Sequence, residues 1–153
     1  MSHPEEKLAE LGLKLPEVAK PVAAYVPAMR TGNLVYTSGQ LPLREGTLIA
    51  TGKNGDSVDP AVGVECAQQC ALNALAAIKA EIGDLANITR IVKVVAFVAS
   101  TPDFTGQPQV ANGASELLGQ VFGEAGQHAR SAVGVPVLPL DAPVEVELIV
   151  EVN

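Results

Sequence analysis

Two charged side chains stand in apolar surroundings near the C-terminus. Arg130 opens the alternating stretch Arg130-Ser131-Ala132-Val133-Gly134-Val135-Pro136-Val137, and Glu145 lies inside Val144-Glu145-Val146-Glu147-Leu148-Ile149-Val150. A cation at the mouth of a hydrophobic strand is costly unless something pairs with it. That partner is either a side chain, with Glu147 and Glu151 as the candidates, or a ligand, and that choice is the functional question.

The elements that must carry these groups follow from periodicity. Alternation puts Ser131, Val133, Val135 and Val137 with Val144, Val146, Leu148 and Val150 on a core face. Arg130, Ala132, Gly134 and Pro136 with Glu145, Glu147, Ile149 and Glu151 take the other face. A hairpin centred near Leu140-Asp141 pairs Arg130 with about Glu151 and leaves Glu145 roughly 20 Å further along the sheet. Arg130 and Glu145 of one chain then do not touch, and a site that uses both draws them from different subunits.

Upstream, residues 4–13 form a short amphipathic helix with Leu8, Leu11 and Leu13 on one side, and Pro16 and Pro21 mark an extended lead-in. Residues 23–29 and 34–37 read as a hairpin about Arg30-Thr31-Gly32-Asn33, followed by a short strand over 48–51. Asp59-Pro60 is a helix start, and Gly83 a stop. Ala67, Ala71, Leu75, Ile78 and Ile82 give the buried stripe between them. Residues 88–99 make the longest strand, apolar on both faces, with Ile91, Val95 and Phe97 on one side and Val92, Val94, Ala96 and Val98 on the other. A second helix covers 108–122. Two helices cannot cover both faces of a six-stranded sheet, so the expected fold is an α+β two-layer sandwich, a six-stranded mixed sheet with both helices on one face. The second apolar face implies another copy of the chain.

Bulk composition narrows the function. The 153 residues fit one domain, divided into an N-terminal extension over 1–21 and a main domain over 22–153. A formal net charge of -7 weighs against a broad nucleic-acid surface, which needs clustered Lys and Arg. No signal peptide and no membrane span are evident, and reduced cysteines make the cytoplasm the default compartment. Cys66 and Cys70 share a helix face, but no Cys or His stands near them in sequence to complete a metal site; they read as small core residues.

Three segments together resemble the RidA/YjgF family of reactive intermediate (imine) deaminases. They are Ala129-Arg130-Ser131-Ala132-Val133 with Leu138-Pro139 and Val144-Glu145-Val146-Glu147, then Asn33-Leu34-Val35-Tyr36-Thr37-Ser38-Gly39-Gln40-Leu41-Pro42, then Phe97-Val98 with Asp103-Phe104. The resemblance spans about residues 22–152. It implies a chorismate-mutase-like fold, a homotrimer with sheets inward and helices outward, and clefts between subunits. It also implies cofactor-free and metal-free hydrolysis of small 2-imino or enamine carboxylic acids to 2-oxo acids and ammonia. By this similarity Arg130 grips the substrate carboxylate, Glu145 holds the attacking water, and Gly39, Ser38, Tyr25 and Asn112 line the substrate site. The chain departs from the common pattern at Ala132, where a cysteine is usual, at Ser115, where an aromatic is usual, and at Val22-Ala23-Ala24, which lacks the usual Gly-Pro. Ala132 and Ser115 give weight to an alternative, a non-catalytic binder of small carboxylate metabolites on the same fold, beside the deaminase reading. An endoribonuclease, a label some relatives carry, fits poorly with the acidic balance and the absence of a basic-aromatic surface.

Overall fold

The computed structural model describes residues 3–18 and 24–153. The boundary placed at 21/22, Pro21, Val22-Ala23 and the first residue of the expected 23–29 strand lie outside the described residues. In chain order the elements are α1 (Pro4–Glu10), β1 (Ala28–Thr31), β2 (Leu34–Thr37), β3 (Leu43–Arg44), β4 (Thr47–Leu48), α2 (Pro60–Ile82), β5 (Ile88–Ala99), α3 (Gln107–Phe122), β6 (Ala129–Val135) and β7 (Val144–Val152).

Local chemistry sets most boundaries. Asp59 caps α2 by accepting from the Ala61 amide at 3.0 Å, Pro60 occupies the first turn, and Gly83 ends the helix at φ +86. Gly32, at φ +57, makes the tight turn that pairs Thr31 with Leu34. α1 is shorter than the apolar pattern over 4–13: Gly12 at φ +74 ends it, so Leu8 is buried while Leu11 is left exposed. β1 starts at Ala28 because Pro27 cannot donate to the ladder.

The main sheet has five strands in the order β1-β2-β7-β5-β6, and β3 with β4 forms a separate two-stranded ribbon. The sequence expectation of six strands in one sheet fails at residues 48–51, because Leu48 pairs back onto Leu43. The expected β6–β7 hairpin fails as well. β6 pairs parallel with β5, and β7 pairs antiparallel with the other edge of β5. Ser100 N donates to Val135 O and Ala99 N to Pro143 O, so the end of β5 is wedged between the two strands. Arg130 therefore lies opposite Val94, not Glu151.

This topology inverts the faces assigned to β6. Arg130, Ala132 and Gly134 share a face with Val94, Ala96 and Val98, which are buried under the helices, whereas Val133 is 44% exposed on the far side. Alternation alone put the larger valines inward. Where α3 crosses this edge the face carries Arg130, Ala132 and Gly134, and Gly134 is overlain by the Gln107 amide. In β5 a register shift between Ile91 and Lys93 moves Ile91 to the helix side and leaves Val95 and Phe97 on the open side.

Both long helices pack on one face, α2 over β7, β1 and β2, and α3 over β5 and β6. By length and composition α2 would pass for a membrane span, contrary to the sequence reading, but most of it is enclosed in the core. The helices touch closely at Gly113, where an added Cβ would collide with the Val64 carbonyl oxygen. Gly113→Ala is expected to destabilise by about 1–3 kcal/mol in urea unfolding, because helix backbones must part and the gain in helix propensity is smaller. The opposite sheet face is uncovered among the described residues. It carries Met29 and Tyr36, 58% and 43% exposed, with Ile149, Val95, Phe97 and Val133.

Candidate functional site

The residues singled out in the sequence fall into two clusters on opposite faces of the sheet. The first lies where α3 crosses edge strand β6. Asn112 and Ser115 stand three apart on α3 and so point the same way. Both accept from Arg130 Nη1, Asn112 Oδ1 at 2.7 Å and Ser115 Oγ at 3.1 Å. These acceptors are neutral. No ion pair among the described residues involves Arg130, and its Nε and Nη2 have no hydrogen-bond partner among them. Glu147 and Glu151, the structural partners considered from sequence, are across the sheet, and Glu151 accepts from Thr89. The guanidinium is half-buried, oriented, uncompensated and still holds unused donors, which is what an anion site requires. Half-buried His128, two residues upstream, is held below the usual histidine range by burial, with the Arg130 charge acting in the same direction.

The second cluster surrounds Glu145. The Gly39 backbone lies directly against its carboxylate, so closely that a Cβ on Gly39 would overlap Oε2. Gly39 has no positive φ; its feature here is the close approach of its backbone to the flexible end of Glu145. Gln40 anchors this contact by pairing both backbone groups with Val146, N to O at 2.8 Å and O to N at 3.0 Å. Ser38 donates from Oγ to Val26 O at 2.6 Å and from N to Pro27 O at 2.8 Å, which ties down the segment carrying the exposed Tyr25. Burial, and secondarily the charge of Glu147, raises the Glu145 carboxyl above the usual carboxylate range. A half-desolvated carboxylate of raised basicity is suited to accepting a proton from water.

The two clusters do not meet within one chain. Arg130 lies opposite Val94, Val94 opposite Leu148, and Glu145 is three residues from Leu148 on the other face. Two strand spacings and three residues of rise separate the backbones by roughly 14 Å. The sequence reading held that Arg130 and Glu145 share a face, which is incorrect. A cleft of about 560 Å³ between the N-terminal segment and α2, lined by Leu8, Leu13, Val18 and Ala76, shares no residue with either cluster.

Sequence reasoning named Ser115 for its departure from a pattern but not as a support of Arg130, and it passed over Gln40. Cys66 and Cys70 are buried; burial raises the Cys66 thiol to about 11 and pushes Cys70 well up, so neither is a nucleophile. Among the described residues, no three His, Cys, Asp or Glu side chains are grouped to hold a metal ion.

Residues 5–152 match the family model described as "YjgF/chorismate_mutase-like, putative endoribonuclease". The chain belongs to the YjgF/RidA family. Among its relatives, Protein TCP17 of Trypanosoma cruzi is 46% identical over 95% of this chain and 92% of its own length. A 2-iminobutanoate/2-iminopropanoate deaminase of Dermatophagoides farinae is 32% identical over 92% of this chain and 95% of its own. The crystal structure of protein Atu1372 from Agrobacterium tumefaciens, of unknown function, superposes with a TM-score of 0.93 at 48% identity, covering 98% of this chain and 92% of that one. The α+β fold with a mixed five-stranded sheet is thus the YjgF fold, and an imine deaminase stands among the relatives of this chain.

Proposed function

We propose that the protein hydrolyses small 2-imino carboxylic acids to 2-oxo acids and ammonia in clefts between the protomers of a homotrimer. The observation that carries this is the pair of incomplete half-sites: a guanidinium with unused donors on one face, and a desolvated carboxylate on the other. One protomer supplies Arg130 with Asn112; its neighbour supplies Glu145, Gly39, Ser38 and Tyr25. The apolar open face, with Met29, Tyr36, Phe97 and Val133, supplies the surface that brings protomers together.

The chemistry needs positioning more than force. Arg130 binds the substrate carboxylate through its free donors. C2 of the protonated imine is electrophilic, and the neighbour's Glu145 takes a proton from water as the water oxygen bonds to C2. The resulting carbinolamine accepts that proton on nitrogen, the C2–N bond breaks with its electron pair leaving on ammonia, and the hydroxyl proton is released as the 2-oxo acid forms. Imine and water are consumed, and oxo acid and ammonia leave. No redox step enters the balance.

The direct test is 2-oxo acid release from an imino acid generated in situ by an amino acid oxidase. Acceleration over the spontaneous rate supports the reading, and ligand-induced thermal stabilisation without turnover favours a binding protein instead. Assembly is tested by Val133→Lys. Val133 is exposed in the single chain, so folding tolerates the charge. Light scattering is expected to give a trimer for the natural protein and a monomer for the variant, with turnover lost alongside.

A further inference from the structure

The proposed site uses no side chain of α2, yet this aliphatic helix buries two amides. Gln69 and Asn73 are 5% and 7% exposed and stand four residues apart. A one-way run of donors links them: Arg44 Nε to Gln69 Oε1 at 3.2 Å, Gln69 Nε2 to Asn73 Oδ1 at 3.1 Å, and Asn73 Nδ2 to the carbonyl oxygens of Leu41 and Leu43 at 2.9 and 3.0 Å. At the outer end, Arg44 Nη1 donates to Glu65 Oε1 at 3.1 Å. Burying two amides in a helix whose other buried side chains are Cys, Ala, Leu and Ile costs free energy that alanine would avoid, unless the bonds hold something.

What they hold is the segment that follows Gly39. Its near end is fixed by the Gln40–Val146 pairing and its far end by the two Asn73 bonds. Between these clamps and the end of β2, the chain lays the Gly39 backbone on the Glu145 carboxylate. We infer that Asn73 is a positioning residue for Glu145, holding the 39–43 segment so that Gly39 keeps water from one side of the carboxylate. The consequence for turnover rests on the deaminase reading; the consequence for geometry does not.

The experiment reads both in the assembled protein. Carboxyl-carbon NMR follows Glu145 through pH in the natural chain, Asn73→Ala, Asn73→Ser and Arg44→Ala. The titratable groups that feel Glu145 are Glu147 on its own strand and the Cys70 thiol on α2, and none of the variants replaces them. Asn73→Ala is expected to move the Glu145 titration to lower pH as water reaches it. It should also cut kcat for a 2-imino acid about tenfold while KM stays within about twofold. Asn73→Ser keeps one donor and falls between; Arg44→Ala, at the exposed end, shifts the same way by less. Should Asn73→Ala fail to fold, the Ser and Arg44 variants carry the measurement. Titrations that superimpose on the natural chain overturn the inference. Absence of turnover in the natural chain with a shifted titration overturns the deaminase reading and leaves the positioning role standing.

Discussion

Arg130→Ala is expected to lower kcat/KM for a 2-imino acid by about a hundred- to a thousandfold, because truncating one partner of a desolvated, hydrogen-bonded charge pair costs roughly 2–5 kcal/mol. Nη1 is already oriented by Asn112 and Ser115, so an incoming carboxylate meets a fork that has lost its freedom beforehand. The loss should appear in KM as well as kcat. Arg130→Lys should recover little, since a single ammonium cannot both keep two neutral acceptors satisfied and grip a carboxylate side-on. Folding should survive, because no acidic side chain among the described residues is left unpaired by the change. Steady-state kinetics and a melting curve check both parts; an Arg130→Ala protein with natural kinetics removes the carboxylate site.

Glu145→Gln is expected to reduce kcat by about 10²–10⁴ and to leave KM little changed, since the amide can hold water but cannot take its proton. In the natural protein the rate should fall on the acidic side at a pH above the ordinary carboxylate range, because burial raises the Glu145 carboxyl. The same shift has an opposite consequence for stability. A carboxyl whose folded pKa is raised binds its proton more tightly when folded, so stability is lost as pH rises from the unfolded value through the folded one. Glu145→Gln should therefore melt at a higher temperature than the natural chain at neutral pH. The gap should close below the unfolded carboxylate pKa of about 4.3. A variant that is less stable at neutral pH would contradict the desolvation argument.

The two inactive variants also test each other. If each cleft takes Arg130 from one protomer and Glu145 from the next, equal co-assembly of Arg130→Ala and Glu145→Gln chains regenerates intact clefts at about one interface in four. Recovery of about a quarter of natural activity follows. A site within one chain gives no recovery.

Much of this was legible in the residue order. The Asp59-Pro60 start and Gly83 stop marked the limits of α2, and the long stretch over 88–99, mostly apolar on both faces, marked β5, because caps and hydrophobic periodicity are local signals. Arg130, Glu145, Gly39 and Asn112 were recognisable as candidates by type and by family pattern. Asn73 and Gln69 lie off the stripe read from the sequence, and nothing local marked them as buried.

What local signals could not supply was strand order. Alternation specifies that a strand has two faces but not which neighbour it takes, so β6 and β7 read as a hairpin although β5 lies between them. That choice is made by tertiary contacts, such as those from Ala99 and Ser100 at the end of β5 to Pro143 and Val135. It reverses the face of β6, places Arg130 beneath α3, and puts the whole sheet between it and Glu145. The residue types of the two clusters were therefore written in the sequence, whereas their separation within one chain was decided by packing, because pairing partners far apart in sequence are selected by how well faces fit once the layers meet.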